Sequence, residues 1–89
     1  MLLFIRQKYI DQIRSGAKSW EIRAGKRYRN VAAGTVLSLN GRERVTVTRT
    51  EQADAATLEL RGLIASAAEL REMYPAESLF YVFHFAALQ

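Results

Sequence analysis

The residues best suited to chemistry lie in the segment Gly16-Ala17-Lys18-Ser19-Trp20-Glu21-Ile22-Arg23, hereafter the octet. Alternate residues of an extended chain face opposite sides, so the octet predicts a strand with one polar face and one core face. The polar face holds Ser19, Glu21 and Arg23, and the core face holds Trp20 and Ile22. Lys18 lies at the turn before this strand and can reach the polar face. The octet therefore predicts a compact cationic cluster with one carboxylate inside it.

Lys18 is the strongest candidate for a reactive or binding group. A lysine partly removed from water loses preference for its charged form and can act as base or nucleophile, whereas a lysine paired with a carboxylate clamps phosphate or carbonyl oxygens. The spacing to Glu21 and Arg23 favours the clamp. Arg23 can offer its planar fork to a phosphate or a base edge, and Glu21 can accept from an exocyclic amine. The alternative is a structural ion pair that steadies the turn.

A second basic segment follows the octet. It consists of Lys26, Arg27, Tyr28 and Arg29, within a stretch from 24 to 33 that has no helical or strand periodicity and predicts an ordered loop. Its cations are suited to phosphates, and Tyr28 is suited to stacking on a base or bonding a phosphate oxygen. The alternative is an exposed loop that packs through Tyr28 alone.

Several other chemistries are excluded by residue counts. The chain has one histidine and no cysteine, with no Gly-rich phosphate loop and no His-Glu pair at helical spacing, so we expect neither a metal site nor a cofactor. His84 interrupts an apolar strand and is expected to be a hydrogen-bonded core residue. Trp20 is expected in the core, with stacking on a base as the alternative.

Length and charge bound the class of protein. Eighty-nine residues, of which 49% are hydrophobic, predict a single domain over 1–89. Residues 1–50 hold eleven of the thirteen basic residues against three acidic ones, a net charge of +8, and residues 51–89 carry −4. This polarity is typical of a surface for a phosphate backbone, although a solvated surface is the alternative. No apolar run is long enough to cross a bilayer, Met1 to Ile5 lacks the features of a signal peptide, and the absence of cysteine indicates the cytoplasm.

Local patterns predict the elements that position these residues. A short strand over Leu2 to Ile5 precedes a helix from Arg6 to Ser15, which Gly16 ends. Asn40-Gly41 joins two strands as a tight hairpin, Thr35 to Leu39 and Arg42 to Thr50. Two short helices follow, one from Ala55 to Leu60 capped by Asp54, and one opened by Ser66 with its capping box and closed by Pro75. In the second, the residues expected to face the core are Leu70, Met73 and Tyr74. A buried strand from Leu79 to Leu88 closes the chain.

The octet pattern G-x-K-x-x-E-x-R resembles the signature of the ASCH family, whose fold is related to the PUA RNA-binding barrels. The elements around it follow in the family's order: the preceding helix, the basic segment, the approach from Val31 to Val36, and the terminal strand around Phe80 to Phe85. The resemblance covers nearly the whole chain. It implies an α+β fold, a PUA-like small mixed β-barrel with two or three short helices packed on the outside, and a cleft that binds RNA or a nucleoside.

Three functions follow from this resemblance together with the residues. The first is a binding module for single-stranded RNA or a modified nucleoside, in which the recognition residues are Lys18, Glu21, Arg23, Lys26, Arg27, Tyr28 and Arg29. The second is a small hydrolase, because some relatives are acetylcytidine amidohydrolases and others cleave single-stranded RNA. The third is an adaptor that binds a protein partner.

For the hydrolase the resemblance implies that Lys18 is the catalytic lysine, while Glu21 occupies the position of the family's threonine. Ser19 and Glu59 are weaker candidates, the latter at the place of a distal glutamate. A ribonuclease would also use Tyr28 or Tyr81 for proton transfer and phosphate charge.

Overall fold

The computed structural model describes residues 1–86, which form an α+β fold of one five-stranded sheet and three helices. The elements are β1 (Leu2–Leu3), α1 (Gln7–Ser15), β2 (Trp20–Arg23), a 3₁₀ turn (Lys26–Tyr28), β3 (Val36–Leu39), β4 (Glu43–Ala53), α2 (Ala55–Leu60), α3 (Ala67–Met73) and β5 (Phe80–Phe85). None of the helices in residues 1–86 combines the length and apolarity that a membrane span requires.

The sheet has the strand order β1-β3-β4-β5-β2, which leaves β1 and β2 at its two edges. Within residues 1–86 the sheet is therefore not closed into the barrel that the resemblance implied. The first strand is also shorter than predicted, because only Leu2 and Leu3 pair, in parallel with Ser38 and Leu39 of β3. A strand of two residues, such as β1, has few backbone groups with which to pair a second strand on the side away from β3.

The described chain divides into two compact units that are interleaved along the sequence. Unit 1 contains Met1–Glu21, Val31–Thr50 and residues 83–86, and unit 2 contains Ile22–Asn30 and Glu51–Val82. The single domain over 1–89 stays a prediction.

In unit 1, α1 begins and ends where the local pattern predicts. Ile10 and Ile13 are buried, as their spacing on one helix face requires. Gly16 caps the helix in the left-handed region, with a φ of 85°, and donates its N–H to the Ile13 carbonyl over 3.1 Å. Arg14 in the last turn pairs with Asp11 of the helix and with Glu43 of β4. The helix end therefore directs the chain into the octet.

The hairpin of unit 1 turns at Asn40-Gly41, as predicted, and both residues have positive φ, 55° and 73°. The Arg42 N–H donates to the Leu39 carbonyl over 3.1 Å, and the ladder continues with Leu39 opposite Glu43. The Asn40 side chain has a further role. Its amide oxygen accepts from the Ile5 N–H and its amide nitrogen donates to the Ile5 carbonyl, each over 2.8 Å.

The second arm, β4, alternates between buried and more exposed residues from Arg44 to Thr48. Val45 and Val47 are fully buried, whereas Thr46 and Thr50 are half-buried and Thr48 is exposed. The core of unit 1 is completed by buried side chains from its other elements: Leu3, Ile10, Ile13, Val31, Leu37, Leu39, Phe83 and Phe85.

In unit 2, both predicted helix caps are present. Asp54 accepts from the Thr57 N–H over 2.8 Å, and Ser66 accepts from the Glu69 N–H over 3.1 Å. The predicted core face of α3 is wrong, because Met73 and Tyr74 are 68% and 41% exposed and Leu70 is only half-buried. α3 covers Ala67–Met73, and Ala67, in its first turn, is its buried residue. The Tyr74 ring instead meets the edge of Phe80, with centroids 6.2 Å apart.

The last strand is shorter than the predicted Leu79 to Leu88. β5 covers Phe80–Phe85, Leu79 is exposed, and Leu88 lies outside the described residues. The burial expected of this strand is confirmed for four of its residues, Phe80, Val82, Phe83 and Phe85. β5 lies between β4 and β2, so its backbone is paired on both sides within the sheet.

Candidate ligand-binding site

Lys18 is positioned by the end of α1. After Gly16 the chain turns back along the helix, and the Lys18 N–H donates to the Gln12 carbonyl over 3.1 Å. The Ser15 hydroxyl donates to the same carbonyl over 3.0 Å and accepts from the Ala17 N–H over 3.4 Å. Two of these bonds are accepted by the Gln12 carbonyl, one of the last helical carbonyls, which lack partners within the helix. The backbone of Lys18 is therefore held against α1.

The side chain of Lys18 lies next to two aromatic rings. Its Nζ is 3.9 Å from the ring centroid of Trp20 and 5.0 Å from that of Tyr9. Both distances are within the range of cation–π attraction, which is strongest for tryptophan. Lys18 is only 9% exposed, and it is a charged residue among buried residues that are mostly hydrophobic. Because removing an ammonium from water is costly, the rings are part of what makes this placement possible.

Trp20 does not occupy the core position predicted for it. All four residues of β2 are half-buried, including both residues of the predicted core face, Trp20 and Ile22. The physical reason is the position of β2, which in the sheet formed by residues 1–86 is an edge strand next to β5. The Phe85 N–H donates to the Ser19 carbonyl over 3.0 Å beside this strand. Part of the indole therefore remains accessible beside the lysine.

The polar residues of the octet are divided between the two units. Lys18, Ser19 and Glu21 belong to unit 1, and Arg23 belongs to unit 2. Ser19 is exposed, and Glu21 and Arg23 are half-buried. The predicted cluster of Lys18, Glu21 and Arg23 stays a prediction.

The basic segment of unit 2 is ordered, as predicted, and forms a 3₁₀ turn at Lys26–Tyr28 after Gly25, whose φ is 110°. Tyr28 is buried, at 7% exposure, and the Arg27 guanidinium lies 5.0 Å from its ring centroid. This burial favours packing of the segment through Tyr28, and it leaves little of the ring for stacking on a base. Lys26, Arg27 and Arg29 are exposed, and their contact with a ligand stays a prediction.

The weaker candidates have structural contacts. Glu59 in unit 2 accepts a hydrogen bond from the Ala67 N–H and so satisfies the first turn of α3. Tyr81 and His84 are half-buried on β5, and the His84 carbonyl accepts from the Thr48 hydroxyl over 3.2 Å. Among residues 1–86 no group of three acidic, histidine or cysteine side chains is placed to hold a metal ion.

Sequence reasoning missed one member of the site, Tyr9. Tyr9 lies on α1 four residues before the buried Ile13 and is half-buried, but its contact with Lys18 was not predicted. A signal was present, because Tyr9 and Gln12 are three residues apart and therefore neighbours on the helix surface. A chain that turns back onto Gln12 brings Lys18 close to Tyr9.

Comparisons with known proteins show the fold. No family model matches the chain, and no curated protein matches it. Two point mutants of ZmASCH from Zymomonas mobilis superpose with TM-scores of 0.71 and 0.68, at 16% and 15% sequence identity. They cover 96% and 94% of this chain, which spans 67% and 65% of theirs. The hypothetical protein PH0355 has a TM-score of 0.73 at 18% identity, over 96% of this chain and 95% of its own. The ASCH resemblance is thus confirmed at the level of the fold.

Proposed function

We propose that this chain, which has the ASCH fold, binds single-stranded RNA or a modified nucleoside at a site centred on Lys18. The observation that carries the proposal is the buried residue Lys18, whose ammonium lies 3.9 Å from the ring centroid of the half-buried Trp20. Lysine is rarely buried in proteins unless its charge has a use or a partner. A cation beside an aromatic surface matches the phosphates and bases of a nucleotide.

Four residues of unit 1 have separate roles in this site. The Lys18 ammonium acts as a point charge for a phosphate or carbonyl oxygen. The accessible part of Trp20 stacks on a base, an interaction that tolerates any base because every base has a π-face. Glu21 accepts from an exocyclic amine, as predicted from the octet. Tyr9 holds the ammonium in place from the side of α1.

Unit 2 supplies further cations that suit a nucleic acid. Lys26, Arg27 and Arg29 are exposed on the ordered 3₁₀ turn and its flank, and Arg23 is half-buried on β2. Contacts of such cations with phosphates release condensed counterions and make affinity depend on salt. We propose them as phosphate contacts, and their variants are to be measured separately from those of unit 1.

The test uses the sole tryptophan, Trp20, as the reporter of binding. A short single-stranded RNA and acetylcytidine are each titrated into the protein while its fluorescence is followed at two salt concentrations. Lys18→Ala is compared with Lys8→Ala, which removes the same charge from an exposed lysine that also lies 5.0 Å from the Tyr9 ring. We expect Lys18→Ala to weaken binding by about tenfold or more, the range of a charge-assisted contact.

Lys8→Ala is expected to cost only the general electrostatic attraction of one surface charge. Loss of one phosphate contact lowers the slope of log affinity against log salt by about one. Equal effects of the two alanine variants on affinity and slope would contradict the proposal. So would an affinity for RNA that does not change with salt.

The second candidate function is a hydrolase, and the desolvation of Lys18 is the observation that favours it. A lysine held in a partly enclosed site can serve as a base or nucleophile toward a bound substrate. Glu21, in the same unit, is the second predicted catalytic residue. Product analysis after incubation with acetylcytidine or with RNA tests this candidate. Product that disappears in Lys18→Ala would support it, and no product at high enzyme concentration would retire it.

The PUA-like relationship and the location of the protein are part of the same proposal. The PUA-like relationship of the fold and a cytoplasmic location both suit an RNA or nucleoside ligand, and a chain without cysteine needs no oxidising compartment. A protein partner is the remaining predicted alternative, and it concerns a different surface of the molecule.

A further inference from the structure

Unit 2 contains a cavity of about 300 Å³ beside the end of α3, hereafter the α3 cavity. This volume is at the lower end of the range for small-molecule sites. The lining comes from the start of α2, the end of α3, the turn that follows α3 and the start of β5, and it includes Asp54, Arg71, Tyr74, Pro75, Glu77 and Phe80. The fold of unit 2 therefore brings charged and aromatic groups from separate segments to one small cavity.

One wall of the α3 cavity is apolar and fixed in position. Tyr74 follows α3, and its ring meets the edge of the fully buried Phe80. Pro75 occupies the second position of a turn, which the Glu77 N–H closes by donating to the Tyr74 carbonyl over 3.1 Å. Because Tyr74 is only partly covered by unit 2, this wall keeps apolar surface for a ligand.

The α3 cavity also holds charged groups of both signs. Arg71 and the half-buried Glu77 line it, and within residues 1–86 neither side chain makes a hydrogen bond or an ion pair. Asp54 is the second carboxylate. Hydrogen bonds from Thr57 and the nearby charge of Arg71 lower the pKa of Asp54, so it is ionised at neutral pH. One guanidinium and two carboxylates are thus present in a cavity with an aromatic wall.

We propose that the α3 cavity binds a free α-amino acid with an apolar side chain. The carboxylate of this ligand pairs with the planar guanidinium of Arg71, and its ammonium pairs with Glu77 and Asp54. Its side chain lies against Tyr74. An amine without a carboxylate leaves Arg71 without an anion, and a nucleotide brings its phosphate to two carboxylates. The α3 cavity is independent of the site proposed at Lys18, which belongs to unit 1.

The test follows the backbone amide shifts of the isotope-labelled protein by NMR, because these shifts report both the affinity and the place of binding. L-Phenylalanine is compared with phenethylamine, which lacks its carboxylate, with phenylpropionate, which lacks its ammonium, and with glycine, which lacks its side chain. We expect phenylalanine to shift amides within residues 71–80 and each of the other three to bind about tenfold more weakly or worse. Equal affinity for phenylalanine and any of the three would overturn the proposal.

Two variants assign the charged contacts. Arg71→Gln should weaken the binding of phenylalanine by about tenfold and leave that of phenethylamine unchanged, because the amine has no carboxylate to lose. Glu77→Gln should weaken the binding of both by about fivefold and should not weaken that of phenylpropionate. Glu72→Gln is the matched control, since Glu72 is an exposed carboxylate of α3 that does not line the cavity. Equal effects of Glu77→Gln and Glu72→Gln would also overturn the proposal.

The wild-type protein alone decides between ligand classes, since phenylalanine, its two fragments and glycine are all compared on it. Guanosine monophosphate is the additional probe. Larger shifts of the same amides by this nucleotide than by phenylalanine would assign the cavity to a nucleotide and contradict an amino acid ligand. Lys18→Ala should leave phenylalanine binding unchanged, so failure of the RNA site and failure of the α3 cavity are separate results.

Discussion

Replacing Asn40 by glycine tests how the hairpin of unit 1 holds α1. Glycine keeps the positive φ of 55° at this position but removes the side-chain amide. That amide makes two hydrogen bonds to Ile5, which precedes the first turn of α1 by two residues. The substitution therefore detaches the start of the helix that carries Tyr9 and leads to Lys18, without disturbing the turn itself.

The expected loss follows from the two hydrogen bonds, each 2.8 Å long and partly buried. A net contribution of about 1 kcal/mol for each bond gives a loss of about 2 kcal/mol in the free energy of unfolding. For a chain of this size that loss lowers the melting temperature by about 8–16 °C. Added flexibility of a new glycine in the unfolded chain contributes less than this, about 0.5–1 kcal/mol.

Urea and thermal unfolding followed by circular dichroism measure the loss. The matched control is Asn30→Gly, which places a glycine at an exposed turn residue of unit 2 and reports the entropic part alone. The difference between the two variants is the contribution of the amide pair. If Asn40→Gly and Asn30→Gly lower the free energy of unfolding equally, the amide pair does not hold α1, and the reasoning is refuted.

Three further predictions concern helix ends. Ser66→Ala removes the cap that accepts from the Glu69 N–H, and we expect a loss of about 1 kcal/mol in urea unfolding. Hydrogen bonds from the Thr57 side chain and then its backbone lower the pKa of Asp54 below 3.8. The stability this cap contributes is therefore present at neutral pH and lost as pH falls through the lowered pKa. The urea midpoint of the wild-type protein should fall over that acidic range, and Asp54→Asn should make this fall smaller. Gly16→Ala meets open space but forces alanine to a φ of 85°, so melting should show a loss of about 1 kcal/mol; an unchanged melting temperature would contradict it.

The helices could be predicted from the sequence because their signals are local. A cap such as Asp54 or Ser66 bonds an N–H three residues along the chain, and Gly16 ends α1 through a carbonyl three residues before it. The two groups of each hydrogen bond are brought close by one turn of helix, whatever the rest of the chain does. The Asn40-Gly41 turn is likewise predictable from local sequence, since asparagine and glycine adopt positive φ more readily than other residues.

The faces of some elements could not be predicted from periodicity. Spacing assigned Met73 and Trp20 to a core, but spacing shows only which residues share a side. Whether that side is covered depends on what packs there, and in α3 it is Ala67 that is buried, while β2 is a sheet edge. The small mixed β-barrel implied by the resemblance is not confirmed in residues 1–86, where the five strands form an open order, and strand pairing at an edge likewise depends on distant segments.

For the candidate site, the sequence by itself determined that Lys18 follows a helix-ending glycine and precedes a strand with Trp20. It also determined the charge asymmetry between residues 1–50 and 51–89. Only the tertiary structure decided that Lys18 is buried with its ammonium close to the rings of Trp20 and Tyr9, and that the Asn40 amide binds Ile5. Local order is encoded by neighbours within one turn of chain. Burial and contact between residues 35 positions apart depend on the packing of the whole unit, which no local pattern contains.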